Sequence, residues 1–303
     1  MTLPDPPEGF FRRCTVPRRL GTPRRLYPQA NPLYSAGQPS LRRKTVAKTP
    51  GEKAMPRSRQ FRMETTSTPP EAPSRRRVWV MFDRIAHRYD FLNHFLSAYR
   101  DVAWRRHVAE MLGETGCLQA LDLATGTADQ LLALYDSGRV TSGVGLDLAQ
   151  NMLAIGRTKI EARGLTEHLS VRTGDAEDIP FEDNSFDCVT ISFGIRNVSD
   201  VEHALHEMLR VLRKGGRALI LEFSLPANRI VRSVYLFYLR HVLPGLGRII
   251  AGHPHAYRYL NETIETFPHG EQFCALMQRA GFSNVAAEPL TAGIVSVYRG
   301  DKS

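Results

Sequence analysis

Residues 120–129 read Ala-Leu-Asp-Leu-Ala-Thr-Gly-Thr-Ala-Asp, and residues 144–147 read Val-Gly-Leu-Asp. An apolar run ending in an acid, a turn of small residues and a second apolar run ending in an acid describe two parallel strands joined through a helix. A ligand at such a turn must approach the backbone closely, and Ala124, Gly126 and Ala128 leave room for it. A dinucleotide requires glycines spaced as GxGxxG, so that a pyrophosphate can rest on the helix N-terminus. Only Gly126 is present here, and the turn is flanked by the carboxylates of Asp122 and Asp129. Carboxylates repel phosphate but suit a cationic sulfonium or an amino group. Asp147 follows Gly126 by 21 positions, close to the ~20 expected of an acid that binds ribose hydroxyls. The combination points to S-adenosylmethionine rather than NAD. An ordinary tight strand-to-helix turn is the competing reading of the loop by itself.

The rest of the chain repeats the alternation. Residues 78–112 carry apolar side chains at three- and four-residue intervals (Met81, Phe82, Ile85, Tyr89, Leu92) and predict a helical cap ahead of the sheet. Strands are predicted at 119–124, 142–147, 169–173, 188–192 and 217–223, with helices at 130–135, 150–163 and 201–212. Alternation of this kind implies a parallel sheet covered on both faces, and ligands bind outside the carboxyl ends of its strands. Asp122, Asp147, Asp175 and Ser192 fall at or just past such ends, so four segments converge on one crevice. Residues 234–250, rich in aromatic and aliphatic side chains and broken by Pro244-Gly245, predict a helical insertion within about 230–265. The last elements are a helix at 272–280 and strands at 285–290 and 294–298, separated only by Thr291-Ala292-Gly293, which predicts an antiparallel edge hairpin. The fold class expected is α/β, Rossmann-like, with a mostly parallel seven-stranded sheet ending in that hairpin.

Charge divides the chain. Residues 1–77 hold 17 of the 40 lysines and arginines, 5 of the 31 acids and 13 of the 19 prolines, leaving a net −3 for residues 78–303. The basic character therefore belongs to a segment without apolar periodicity, which is expected to be disordered. Its arginine pairs lack the interleaved aromatics of a nucleic-acid platform, so no nucleic-acid partner is expected. An Arg-rich, acid-poor leader for the mitochondrial matrix is one reading, although its prolines break the required helix. The preferred one is translation starting at Met55 or Met63. Four scattered cysteines and ten unpaired histidines predict neither a disulfide framework nor a metal site. No apolar run approaches a membrane span, and a cytoplasmic location is expected, peripheral to the inner membrane if the substrate is lipid.

From about Val80 to Gly300 the chain resembles the ubiquinone/menaquinone biosynthesis C-methyltransferase family. The resemblance lies in residues 82–90 (FDRIAHRYD), the turn at 121–129, residues 174–181 (GDAEDIPF), 186–197 (FDCVTISFGIRN), 221–224 (LEFS), 256–260 (AYRYL) and 290–293 (LTAG). It implies a class I methyltransferase fold and transfer of a methyl group from S-adenosylmethionine to a ring carbon of a polyprenylated benzoquinol or naphthoquinol. It further implies cofactor contacts at Thr127, Asp147, Asp175, Ala176 and Ser192, beside the turn residues Asp122 and Gly126. The family's turn usually has glycines where this chain has Thr125 and Ala128, and a β-branched Thr125 is expected to narrow the approach.

Methylating carbon requires a proton to leave the neighbouring hydroxyl, and Arg196 is the first candidate to stabilise the resulting charge. Tyr89 and Asp90 on the cap are candidates to orient the quinol or relay its proton. Pairing of Arg196 with an acid, and a core role for Tyr89, are the alternatives. Arg232, Arg240 and Arg248 recur every eight residues along the aromatic insertion, which makes a membrane-surface element one expectation and core packing the other. A homodimer stays open. So do two other functions: methylation of another small molecule, and a scaffold without activity.

Overall fold

The structure, a computed structural model, describes residues 79, 80, 83, 86, 90, 94, 97, 99–113, 118–243, 245 and 254–303, all within one compact unit, Pro70–Ser303. The expectations for the basic segment 1–77, and those for Tyr89, Arg248 and the other undescribed cap residues, lie outside these residues.

Seven strands form one sheet in the order β3-β2-β1-β4-β5-β7-β6. They are β1 (Leu118–Leu123), β2 (Val140–Asp147), β3 (Leu169–Thr173), β4 (Phe186–Ser192), β5 (Leu212–Phe223), β6 (Ser283–Leu290) and β7 (Val295–Asp301). The first five are parallel, while β7 runs antiparallel to both β5 and β6. Helices α1 (Arg100–Glu110), α2 (Asp129–Asp136), α3 (Gln150–Ala162), α4 (Val201–Val211), α5 (Arg229–Phe237), α6 (Pro254–Thr266) and α7 (Glu271–Arg279) cover or flank it.

Alternation along the strands builds two cores, one on each face. Leu121 and Leu123 of β1, with Ala218 and Ile220 of β5, pack against Leu205 and Met208 of α4 and Phe273 of α7. Ala120, Leu219 and Leu221 face the other way, toward Trp104 and Val108 of α1. Full burial of each such large apolar side chain contributes about 1.5–3 kcal/mol. Helix α4 shows the local rule clearly: the Asp200 carboxylate accepts the His203 N–H at 2.9 Å as N-cap, and Ala204, Leu205, Met208 and Val211 share the buried stripe.

Three elements differ from expectation. The single cap helix is interrupted: Ser97 and Tyr99 lie in turns, and Tyr99 has a left-handed φ of 60°. Asp101 ties the reversal, accepting from the Ser97 hydroxyl and bonding His94 Nδ1, each at 2.7 Å. Strand β5 begins five residues earlier than the apolar pattern indicates. The extra residues around Gly215-Gly216 form a bulge against β4, with Gly215 at φ 77°. In the insertion, Leu243 and Gly245 on either side of Pro244 are both helical, and Tyr238–Val242 is a π-helical stretch continuing α5.

Candidate active site

The turn after β1 takes its shape from three left-handed residues, Ala124 (φ 47°), Gly126 (φ 57°) and Ala128 (φ 67°). Two adjacent N–H groups pin it to the end of β2. The Thr125 N–H donates to the Leu146 carbonyl at 2.9 Å, and the Gly126 N–H donates to Asp147 Oδ2 at 2.8 Å. Asp147 Oδ1 accepts the Ala149 N–H at 2.8 Å, so the carboxylate at the end of β2 is held in one orientation with lone pairs to spare. Burial raises its pKa, and these N–H donors oppose the rise.

Thr125 does not narrow the approach. Its side chain turns into the sheet, where its hydroxyl donates to Asp122 Oδ2 at 2.6 Å, and it fills the space that the absent Cβ of Gly145 leaves. Its φ is not left-handed, so a β-branched residue fits there. At the other side of the crevice Gly194 lies so close that a Cβ on it would come within 2.5 Å of the Ala124 Cβ. The bare backbone of the turn after β4 thus sits against the Ala124 side chain of the turn after β1.

Between them opens a cavity of about 550 Å³, the size class of small-molecule sites. Gly126, Asp147, Asp175, Ala176 and Ser192 line it together with Met152, Phe193 and Asn197. The Ser192 hydroxyl donates to Gln130 Oε1 at 3.0 Å, and Asp175 Oδ1 accepts the Glu177 N–H at 3.0 Å, leaving its other oxygen open. A fixed carboxylate at the end of β2, a second carboxylate beside a backbone N–H at Ala176, and glycine-lined walls fit S-adenosylmethionine.

The remaining predicted residues sit behind the wall. Asp122 is buried beneath the turn, bonded by the hydroxyls of Thr125 and Thr190 at 2.6 Å each, and burial raises its pKa to about 6. The Thr127 hydroxyl donates to Asp90 Oδ1 at 2.6 Å, while Asp90 Oδ2 pairs with Lys159 Nζ at 2.6 Å. Lys159 also binds Asp129 at 2.5 Å. Asp90 and Thr127 therefore lock the cap to the turn.

Arg196 is sealed beside the cavity. Its Nη1 donates to Glu222 Oε1 at 2.6 Å and to the Phe193 carbonyl at 2.8 Å, and its guanidinium lies 5.3 Å over the Phe223 ring. Its Nε and the neighbouring Tyr235 hydroxyl are both buried without a hydrogen-bond partner. Glu222 and Tyr235 are absent from the sequence-derived site. A carboxylate inside the apolar run Ala218–Phe223 is the signal that points to Glu222, whereas Tyr235 reads as one aromatic among several.

A family model described as the ubiE/COQ5 methyltransferase family matches residues 71–302. The chain is 46% identical over 222 residues to a demethylmenaquinone methyltransferase of Thermus thermophilus, covering 73% of this chain and all of that one. It is 42% identical over 227 residues to a ubiquinone/menaquinone biosynthesis C-methyltransferase of Geobacter sulfurreducens, covering 75% and 88%. Among solved structures, a SAM-dependent methyltransferase from Thermotoga maritima aligns with a TM-score of 0.52 at 20% identity, over 74% of this chain and 99% of that one. A phosphoethanolamine N-methyltransferase of Haemonchus contortus in complex with S-adenosylmethionine aligns at 0.51 and 15% identity, over 66% and 52%. Both likenesses establish the α/β methyltransferase fold. The cofactor is S-adenosylmethionine, and the chain belongs to the ubiE/COQ5 methyltransferase family.

Proposed function

We propose that this chain methylates a ring carbon of a polyprenylated quinol, and that the sealed Arg196–Glu222 pair with its two unpaired donors is the group that receives the ring oxygen. Asp147 accepts the ribose hydroxyls, and Asp175 with the Ala176 N–H receives the adenine. S-adenosylmethionine bound there supplies an electrophilic methyl group. The ring carbon becomes nucleophilic as its neighbouring hydroxyl loses its proton to water in the cavity, and the ring C–H proton returns to the hydroxyl oxygen or to water once the new C–C bond has formed. Arg196 Nε and Tyr235 Oη, unpaired and desolvated, donate to that oxygen as its negative charge develops, and Glu222 holds the guanidinium in place. Arg196 thus acts electrostatically, without serving as a base.

The prenyl tail requires an apolar approach. Helix α5 is two-faced: Tyr235 packs inward with Leu239 and Leu243, while Ile230, Val234 and Phe237 stand exposed along one stripe. That stripe supports peripheral contact with a bilayer, where such a substrate resides. Arg232 donates to the Pro226 carbonyl and Arg240 to Glu265, so these arginines serve the fold. Among the described residues no helix is long and apolar enough to cross a membrane.

Turnover of short-chain demethylmenaquinol and of the corresponding benzoquinol, measured side by side with protein begun at Met63, tests the reading. Product from either supports it and assigns the head group. Cofactor binding without product from either overturns the quinol substrate, and turnover unaffected by Arg196→Ala overturns the role of Arg196.

A further inference from the structure

A second cavity, of about 490 Å³, opens away from the active site between α1 and α2. Among the described residues its lining carries four arginines, Arg105, Arg106, Arg139 and Arg163, and three acids, Glu110, Asp129 and Asp136. The acids have other partners. Asp136 is gripped by Arg163, Asp129 by Lys159 at 2.5 Å, and Glu110 lies 3.9 Å from His107. Arg139 bonds the Gly113 carbonyl and no carboxylate, and Arg106 is exposed with no bond of its own.

Arg105 is the exception that points to a ligand. It is only 9% exposed, its Nε is buried without a partner, and its guanidinium makes no hydrogen bond or ion pair. The Phe193 ring, 5.5 Å away, offsets part of the charge. Asp122 attracts Arg105 through space, but its carboxylate oxygens are bonded by Thr125 and Thr190 and leave the guanidinium donors unmet. A guanidinium withdrawn from water with its donors unused is costly unless an anion completes it.

We infer that this cavity binds a phosphate group, held by Arg105 from within and by Arg106 and Arg139 at the rim. Three guanidiniums without a hydrogen-bonded carboxylate match a multiply charged anion, and their planar forks suit phosphate oxygens. The volume exceeds that of the free ion and accommodates a phosphate ester. Inorganic phosphate, a diphosphate and a phospholipid headgroup share this chemistry.

Calorimetric titration of the full chain with inorganic phosphate, with pyrophosphate and with a short-chain phosphatidylglycerol kept below its micelle concentration tests the site. At least one is expected to bind. Arg105→Gln is expected to abolish binding, and Arg106→Gln to weaken it about tenfold or more, the loss of one charge-assisted contact. Stronger binding of the free anions assigns a soluble ligand, and stronger binding of the lipid assigns a headgroup. Retained binding of S-adenosylmethionine reports that Arg105→Gln is folded. If that variant does not fold, the exposed Arg106→Gln decides. Absence of binding by all three up to about 10 mM, or binding unchanged in the folded variants, overturns the site.

Discussion

Arg196 Nη1 and Glu222 Oε1 meet at 2.6 Å in a region where the two side chains are only 4% and 1% exposed. Removing one member strands the other's charge in a dry interior. Glu222→Ala is therefore expected to destabilise the protein by about 3–5 kcal/mol. Glu222→Gln, which keeps the shape and an acceptor, is expected to cost less and to fall mainly on kcat. Denaturant unfolding beside steady-state kinetics of both variants checks the split. Equal losses of stability for the two would show that the carboxylate charge alone, and neither the shape nor the acceptor, carries the effect, and would overturn the expectation that Gln is milder.

Asp147 holds the turn through Gly126 and the next helix through Ala149. Asp147→Ala removes these bonds together with the proposed acceptors for the ribose, and affinity for S-adenosylmethionine is expected to fall at least about 100-fold, from two lost bonds to a charged group. Calorimetry measures it directly. A fall of less than about tenfold would place the ribose elsewhere.

Burial pushes the Asp122 carboxyl up to about 6 in the native state, from an ordinary value of 3.8. The folded form therefore binds the proton more tightly than the unfolded chain, and stability declines as pH rises from about 4 to 6, by on the order of 3 kcal/mol in all. Below the lower value both states are protonated and the contribution is complete; above 6 it is lost. Asp122→Asn is expected to flatten this part of the profile and to raise Tm at neutral pH. An unchanged slope in thermal melts across that window would remove Asp122 as its source.

Gly194 and Ala124 compete for the same space, since a Cβ on the former would lie 2.5 Å from the Cβ of the latter. Gly194→Ala is expected to cost about 1–3 kcal/mol and to weaken cofactor binding by parting the two turns. Ala124→Gly, at a left-handed φ of 47°, opens that space without backbone strain and is expected to restore most of the loss. A double-mutant cycle in urea checks the coupling, and strict additivity would mean that the turns do not touch.

Ile230, Val234 and Phe237 are 77%, 65% and 60% exposed on one face of α5. Replacing all three with serine is expected to abolish co-flotation with anionic vesicles while leaving the melting temperature nearly unchanged, because none of them packs in the core. Failure of the unaltered protein to float would remove the membrane contact.

The turn at 124–128 and the acids at the strand ends were legible in the sequence because period-2 apolar runs and small residues have few alternative uses. Asp147, Asp175 and Ser192 meet at the crevice as their positions at or just past the ends of β2, β3 and β4 require. What pattern cannot convey is direction. Asp122 and Asp147 close neighbouring apolar runs in similar words, yet one lies beneath the turn and the other lines the cavity: Asp122 pairs in register with Gly145, and Asp147 stands two residues further along β2, level with the turn itself. Thr125 likewise reads as an obstacle until its rotation into the space above Gly145 is seen. The pairing of Arg196 with Glu222 joins residues 26 apart across adjacent elements, beyond the reach of local periodicity.

Strand β6 touches the sheet only through β7, yet the chain reaches β6 first. It has no place to dock until its successor exists, so the hairpin joins as a unit and last. Until that moment the edge of β5 from Arg217 to Phe223 stands open, and an open edge is a template for any passing strand. Nascent chains of this protein are accordingly most prone to aggregate in the interval after the parallel half has assembled and before the hairpin arrives, which is when a chaperone has most to offer them.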